Sequence, residues 1–187
     1  MINRKLIMKS ILLNAEVYII EAYGINTDIL FKTLKDQLPW TSYSNRTKRL
    51  HCTMGRDYTF SGRTHKAHPI HPYIKKLMDR INKDFNLNLN SVYVNYYPDS
   101  STGLAYHVDR EEQLVEGSTV VSMSLGASRT FWFKCNSTRR EKGFLLKDGD
   151  LCIMGKDSQI KYQHGLKSEI SSEVICERIS ITFRCFK

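Results

Sequence analysis

His107-Val108-Asp109 is the first place in the chain where residue types and spacing could do chemistry. On an extended segment, side chains two apart project to the same side. An imidazole and a carboxylate placed this way can share one metal ion. His164, 57 residues later in Tyr162-Gln163-His164-Gly165, offers a third ligand after segments that read as strands. Two histidines and one carboxylate with open positions suit a mononuclear non-haem Fe(II) oxygenase. The same three would serve a catalytic zinc and its water. A plainer alternative is a hydrogen-bonded His107–Asp109 pair and an unrelated surface His164.

Arg178-Ile179-Ser180-Ile181-Thr182-Phe183-Arg184 adds a second constraint. Alternation puts the apolar residues on one strand face and Arg178, Ser180, Thr182 and Arg184 on the other. Two guanidiniums beside a metal are an unfavourable pair unless an anion neutralises them. A dicarboxylate does so, one end chelating the metal while the other meets an arginine. Asn95 and Tyr97, also two apart on an extended stretch, can add hydrogen bonds to such a cosubstrate.

The elements that must position these groups follow from periodicity. Asn26-Thr27-Asp28 offers N-caps for a helix carrying Ile29, Leu30, Leu34 and Leu38 at helical spacing, stopped by Pro39. Pro72 opens a second, with Ile74, Leu77, Met78, Ile81 and Phe85 on one stripe. From Ser91 onward the pattern is of strands: Ser91 to Tyr97, Thr119 to Leu125, Thr130 to Phe133, Leu151 to Met154 and Arg178 to Arg184. Helices first and strands after predict an α+β domain with a β-sandwich or jelly-roll core.

With 187 residues, 41% apolar and 25% charged, the chain suits one globular domain, 1–187, and excludes a disordered tail or a collagen-like repeat. No apolar run is long enough to span a bilayer. The stretch Leu6 to Leu13 is interrupted by Lys9 and followed by no small-residue cleavage site, so no secretory signal is expected. Five cysteines without a CxxC pair indicate free thiols and an intracellular, cytoplasmic or nuclear, location.

The formal +9 is not spread evenly. Arg46 to Lys66 carries +5 and Lys134 to Lys147 carries +4, while the rest of the chain holds 17 basic and 17 acidic residues. The first segment interleaves cations with Tyr58 and Phe60, the combination that holds phosphates and stacks bases. Arg46, Lys48, Arg49, Arg56 and Arg63 in that segment, and Arg139, Arg140 and Lys142 in the second, are candidate contacts to a nucleic-acid backbone. Two solvated loops are the alternative.

Asn95-Tyr96-Tyr97-Pro98, His107-Val108-Asp109-Arg110-Glu111, Ser122-Met123-Ser124-Leu125-Gly126, His164-Gly165 and Arg178-x-Ser180-x-Thr182-Phe183-Arg184 stand in one order along the chain. From about residue 15 onward the chain resembles the AlkB family of Fe(II)/2-oxoglutarate-dependent nucleic-acid dealkylases. Tyr58-Thr59-Phe60-Ser61-Gly62 and Leu125-Gly126-Ala127-Ser128-Arg129 are similar to its eukaryotic DNA-repair branch. The resemblance implies a double-stranded β-helix (jelly-roll) core over about 91–187, buttressed by N-terminal helices, with a nucleotide-recognition lid over about 40–66. It implies His107, Asp109 and His164 as iron ligands, with 2-oxoglutarate and O2 as cosubstrates. Arg178 would meet the distal carboxylate, assisted by Asn95 and Tyr97, and Arg184 would lie beside the iron-proximal one. Phe60 and the His107 ring would sandwich a flipped base, while Tyr58, Ser61 and Glu111 would contact its edge or sugar-phosphate. A carboxylate such as Glu111 favours a positively charged alkylated base.

The activity so implied is oxidative demethylation of 1-methyladenine and 3-methylcytosine in DNA or RNA, with release of formaldehyde, by a monomer. Two departures stand out: Ser180 where the family usually has Asn, and Gln163 where many relatives have Tyr. Both are expected to change cosubstrate affinity or pocket shape rather than abolish activity. An oxygenase acting on a protein or small molecule, and a non-catalytic nucleic-acid-binding module, remain alternatives. His65, His68 and His71 are expected in a solvated loop, and Trp132 and Phe133 in the core. Trp40 is expected under the lid or against the nucleotide.

Overall fold

In the computed structural model, residues 12, 14–42, 44, 47–60, 62–109, 113–169 and 177–187 are described, with Phe60 and Arg63 described for backbone only. The elements in chain order are β1 (Val17–Ile20), α1 (Thr27–Gln37), β2 (Thr41–Ser42), β3 (Leu50–Met54), β4 (Tyr58–Phe60), β5 (Arg63–His65), α2 (Pro72–Phe85), β6 (Ser91–Tyr97), β7 (Leu104–His107), β8 (Val120–Gly126), β9 (Arg129–Cys135), β10 (Glu141–Leu146), β11 (Leu151–Met154), α3 (Ser158–Lys161), β12 (Tyr162–Leu166) and β13 (Arg178–Arg184).

Both expected helices form, but Ile29, expected on the apolar stripe of α1, is 54% exposed and takes no part in the core. The Asn26 side chain accepts from Ile29 N at 3.0 Å and caps α1, whose Leu30 and Leu34 are buried. His71 caps α2 by accepting from Tyr73 N, Pro72 opens it, and Asn86 in the left-handed region ends it. Each buried Leu or Ile of these stripes is worth about 1.5–3 kcal/mol of transfer free energy.

A seven-stranded sheet runs β1-β11-β8-β13-β6-β3-β2, and a four-stranded sheet runs β10-β9-β12-β7. Among the described residues, every strand pairing within these two sheets is antiparallel. On the larger sheet, Val92, Val94, Val121, Met123, Leu125, Ile179, Ile181 and Phe183 join the helices' buried residues in one core cluster. On its opposite face, Val17, Tyr97, Val120, Cys152 and Met154 meet Phe131, Phe133, Leu146 and Leu166 of the smaller sheet. Two facing antiparallel sheets with helices on one outer face constitute the expected jelly roll.

The simple order of helices followed by strands does not hold. Five short strands lie before α2: β1 closes one edge of the large sheet on β11, and β3 extends it from β6. The segments are short, and β3 mixes Leu50, Cys52 and Met54 with buried His51 and Thr53, so its alternation is masked. The β4–β5 hairpin stands apart as its own two-stranded sheet. Phe133 is core, whereas Trp132 lies across Gly143 with Lys167 Nζ 3.9 Å above its ring. Trp40 packs on Tyr96 and donates to Lys35 O.

Candidate metal and cosubstrate site

Strand pairing brings the two histidines together. β12 runs antiparallel to β7 with His164 opposite His107, and the ring centroids are 4.4 Å apart. Gly165 permits this approach, since a Cβ there would sit 2.8 Å from Leu104 O. The Asp109 backbone N–H donates to Gln159 Oε1 at 2.8 Å, fixing the carboxylate just beyond β7. One ligand atom from each of His107, Asp109 and His164 lies within 4.8 Å of the others.

The surroundings prepare each ligand. His107 Nδ1–H donates to Ala105 O at 3.0 Å, which leaves the Nε2 lone pair for a metal. Arg184 Nη2 donates to Asp109 Oδ1 at 2.6 Å, while the buried Oδ2 lies 3.4 Å from His164 Nε2. Burial alone would raise the Asp109 carboxyl, but Arg184, His164 and His107 together hold it well below the usual carboxylate range. Burial, then the neighbouring His164, pulls His107 down to about 4, so its imidazole is neutral near pH 7. A neutral imidazole and an ionised carboxylate are the ligand forms a metal needs.

The same cavity is lined by Asn95, Tyr97, Arg178, Ser180 and Arg184 as well as by the three ligands. Arg178, 1% exposed, donates to Ser124 Oγ at 2.7 Å and Ala127 O at 3.3 Å, and carries no ion pair among the described residues. Burial lowers it to about 10, which leaves it cationic. Asn95 Oδ1 and Arg178 Nε are buried without a hydrogen-bond partner among the described residues. Ser180 and Ser122 share a hydroxyl hydrogen bond of 3.0 Å on the cavity floor. An unpaired buried guanidinium facing a two-histidine, one-carboxylate cluster fits Fe(II) with a dicarboxylate cosubstrate.

The residues assigned to nucleic acid divide. Lys48, Arg56, Arg139, Arg140 and Lys142 are exposed. Lys48 pairs with Asp99 at 2.9 Å, Arg56 donates to Lys187 O at 2.6 Å, and Lys142 lies 5.1 Å from the centre of the Phe144 ring. Arg49 requires correction as a phosphate contact. It is only 8% exposed, its guanidinium acts on the Tyr97 hydroxyl, and it lines a small pocket with Tyr58, Tyr93, Asn95, Leu104, His107 and Arg184. Sequence reports its charge, not the sheet that covers it. Tyr58 lines that pocket but is buried among Tyr93, Phe186 and Arg184. Arg46, Ser61 and Glu111, and the side chains of Phe60 and Arg63, lie outside the described residues.

The imidazoles expected in a loop differ from one another. His65 sits on β5 edge-on to His51 at 4.7 Å, His71 is a helix cap, and His68 is exposed. Sequence reasoning missed Gln159, and gave no role to Ser122, Ser124 and Arg129 although they stand in the motifs quoted above. Arg129 is buried and ties Thr102 O to Lys167 O, linking the ends of β7 and β12. Alternation along β8 marks the two serines, whereas nothing in the sequence joins Gln159 to Asp109.

Two facing sheets that enclose two histidines, a carboxylate and a buried arginine define a jelly-roll metal site of the oxygenase kind. A family model described as the 2OG-Fe(II) oxygenase superfamily matches residues 26–184, and the chain belongs to that superfamily. It is 31% identical over 138 residues to the DNA oxidative demethylase ALKBH2 of Mus musculus, covering 70% of this chain and 57% of that protein. It is 30% identical over 137 residues to alpha-ketoglutarate-dependent dioxygenase alkB homolog 3 of Homo sapiens, covering 68% and 47%. It is 30% identical over 125 residues to uncharacterized protein R406 of Acanthamoeba polyphaga mimivirus, covering 67% and 64%. The chain thus spans about half the length of the ALKBH2 and alkB homolog 3 proteins it matches. Its fold is similar to a solved structure titled "The structure of OsALKBH1", with TM-score 0.64, 18% identity, and coverage of 93% of this chain and all of that one.

Proposed function

We propose that this chain is an Fe(II)/2-oxoglutarate dioxygenase that removes alkyl groups from N-alkylated bases of DNA or RNA, 1-methyladenine and 3-methylcytosine being the best-fitting substrates. One observation carries the proposal: a single cavity holds the His107, Asp109 and His164 cluster together with the buried, unpaired Arg178. The substrate class is supported by two basic segments on an otherwise neutral chain and by similarity to proteins named as DNA demethylases.

His107, Asp109 and His164 would hold Fe(II), which would supply O2 activation: 2-oxoglutarate would be oxidised to succinate and CO2 while one oxygen atom hydroxylates an N-alkyl carbon, giving a hemiaminal that releases formaldehyde. The chain's own residues do the rest. Arg184 occupies one oxygen of Asp109 and leaves the other for the metal. Arg178, oriented by Ser124 and Ala127, receives the distal carboxylate of the cosubstrate, with Asn95 and Tyr97 beside it. Leu104, Phe131, Met154 and Leu166 supply the apolar part of the cavity lining. A base reaches the pocket beside His107 only when flipped out of a stack, and lesions that already block pairing are easiest to flip.

The test is 2-oxoglutarate turnover with Fe(II), ascorbate and candidate substrates of different classes. Stimulation by methylated, but not unmethylated, oligonucleotides is expected. Stimulation by a peptide or small molecule, and by no oligonucleotide, would refute the substrate assignment.

A further inference from the structure

Arg184 is a buried cation compensated on two sides. Its Nη2 meets Asp109 Oδ1 at 2.6 Å, and its guanidinium carbon lies 5.1 Å from the centre of the Tyr58 ring and 5.8 Å from that of Tyr93. The Tyr58 ring is itself held firmly. Phe186 stacks on it at 5.7 Å, and Tyr93 meets it edge-on at 5.2 Å. Phe186 is pinned in turn, because its N–H donates to Asn90 Oδ1 and its carbonyl accepts from Asn90 Nδ2, both at 2.8 Å. Tyr58 belongs to β4, in a hairpin that pairs with neither main sheet.

We infer that Tyr58 is a positioning residue for the metal centre: its ring face holds the Arg184 guanidinium against Asp109, so that one carboxylate oxygen stays committed to the arginine and the other to the metal. This rests on the assignment of Asp109 as a ligand. The physical reason lies in the quadrupole. A desolvated cation gains from the negative face of an aromatic ring, and a buried guanidinium without such compensation would draw away toward water. Asp109 would then be free to turn, and its second oxygen would compete for the metal. The chain of contacts also joins the hairpin to the ligand set, an assignment different from the base-edge or sugar-phosphate role that the family resemblance implies for Tyr58.

The probe is Co(II), titrated into the metal-free full chain and followed by its visible absorption. Tyr58→Phe keeps the ring face and is expected to bind Co(II) as the wild type does, with the same absorption envelope. Tyr58→Leu, and pentafluorophenylalanine at position 58, are expected to weaken Co(II) about five- to tenfold and to alter the envelope. The fluorinated ring preserves shape and packing while reversing the potential of its face, so it separates electrostatics from folding. Wild-type affinity and spectrum in the fluorinated variant would overturn the inference, as would equal losses in the Phe and Leu variants. A wild-type chain that fails to bind Co(II) would instead remove the metal-site assignment itself.

Discussion

Replacing Arg178 by lysine keeps the charge and removes the planar fork. The guanidinium is 1% exposed and already gives one hydrogen bond each to Ser124 Oγ and Ala127 O. A shorter, pointed ammonium cannot serve both of these and a carboxylate at once. The variant therefore loses at least one charge-assisted hydrogen bond to the cosubstrate, worth about 1.5–3 kcal/mol. At 1.4 kcal/mol per tenfold, 2-oxoglutarate affinity should fall about ten- to a hundredfold. Calorimetric titration of 2-oxoglutarate into the Mn(II)-loaded protein reads this directly, and fluorescence anisotropy with a labelled oligonucleotide supplies the control. Cosubstrate binding should weaken while oligonucleotide binding holds. Unchanged 2-oxoglutarate affinity, or an equal loss in both titrations, would refute the placement of the dicarboxylate at Arg178.

Three further outcomes follow from named contacts. Gly165→Ala should lower stability by about 2 kcal/mol, or about 4–8 °C in Tm, because its Cβ would press on Leu104 O and part the strands carrying His107 and His164; an unchanged melt would contradict the packing. His51 is buried and held neutral, its pKa lowered to about 4 by burial and then by His65 and Arg49. Since the unfolded chain takes up this proton near pH 6.5 and the folded one only near 4, stability should decline as pH falls between those values. His51→Gln should flatten that decline in a pH series of thermal melts, and an equally steep profile would exclude His51 as its source. Arg140→Ala, in the exposed turn before β10, should reduce the slope of log affinity for duplex DNA against log salt by about 0.9; an unchanged slope would exclude a phosphate contact there.

Much of the fold was legible where burial follows a regular period. The last strand shows this best: Ile179, Ile181 and Phe183 pack on the helices while Arg178, Ser180 and Arg184 line the cavity, as alternation requires. His107 and Asp109 were visible from spacing, but their meeting with His164 depends on a register that only the folded sheet defines. The strand carrying His164 was hidden because Gln163, His164 and Gly165 interrupt any apolar pattern. β10 was hidden for the opposite reason, being an edge strand with exposed Glu141, Lys142 and Leu145. Arg49 shows the limit for charge: its neighbours Thr47 and Lys48 are partly or largely exposed, and only the tertiary fold buries it beside Tyr97.

The proposed activity is tested most directly by the mass of the product. A 1-methyladenine oligonucleotide incubated with the chain, Fe(II), 2-oxoglutarate, ascorbate and air should lose the mass of one methylene and release one formaldehyde per repaired base. His164→Ala, which removes a proposed metal ligand that does not line the pocket beside His107, should bind the same oligonucleotide and leave its mass unchanged. An unaltered methylated oligonucleotide with the wild-type chain, under conditions where it turns over 2-oxoglutarate, would contradict the proposal.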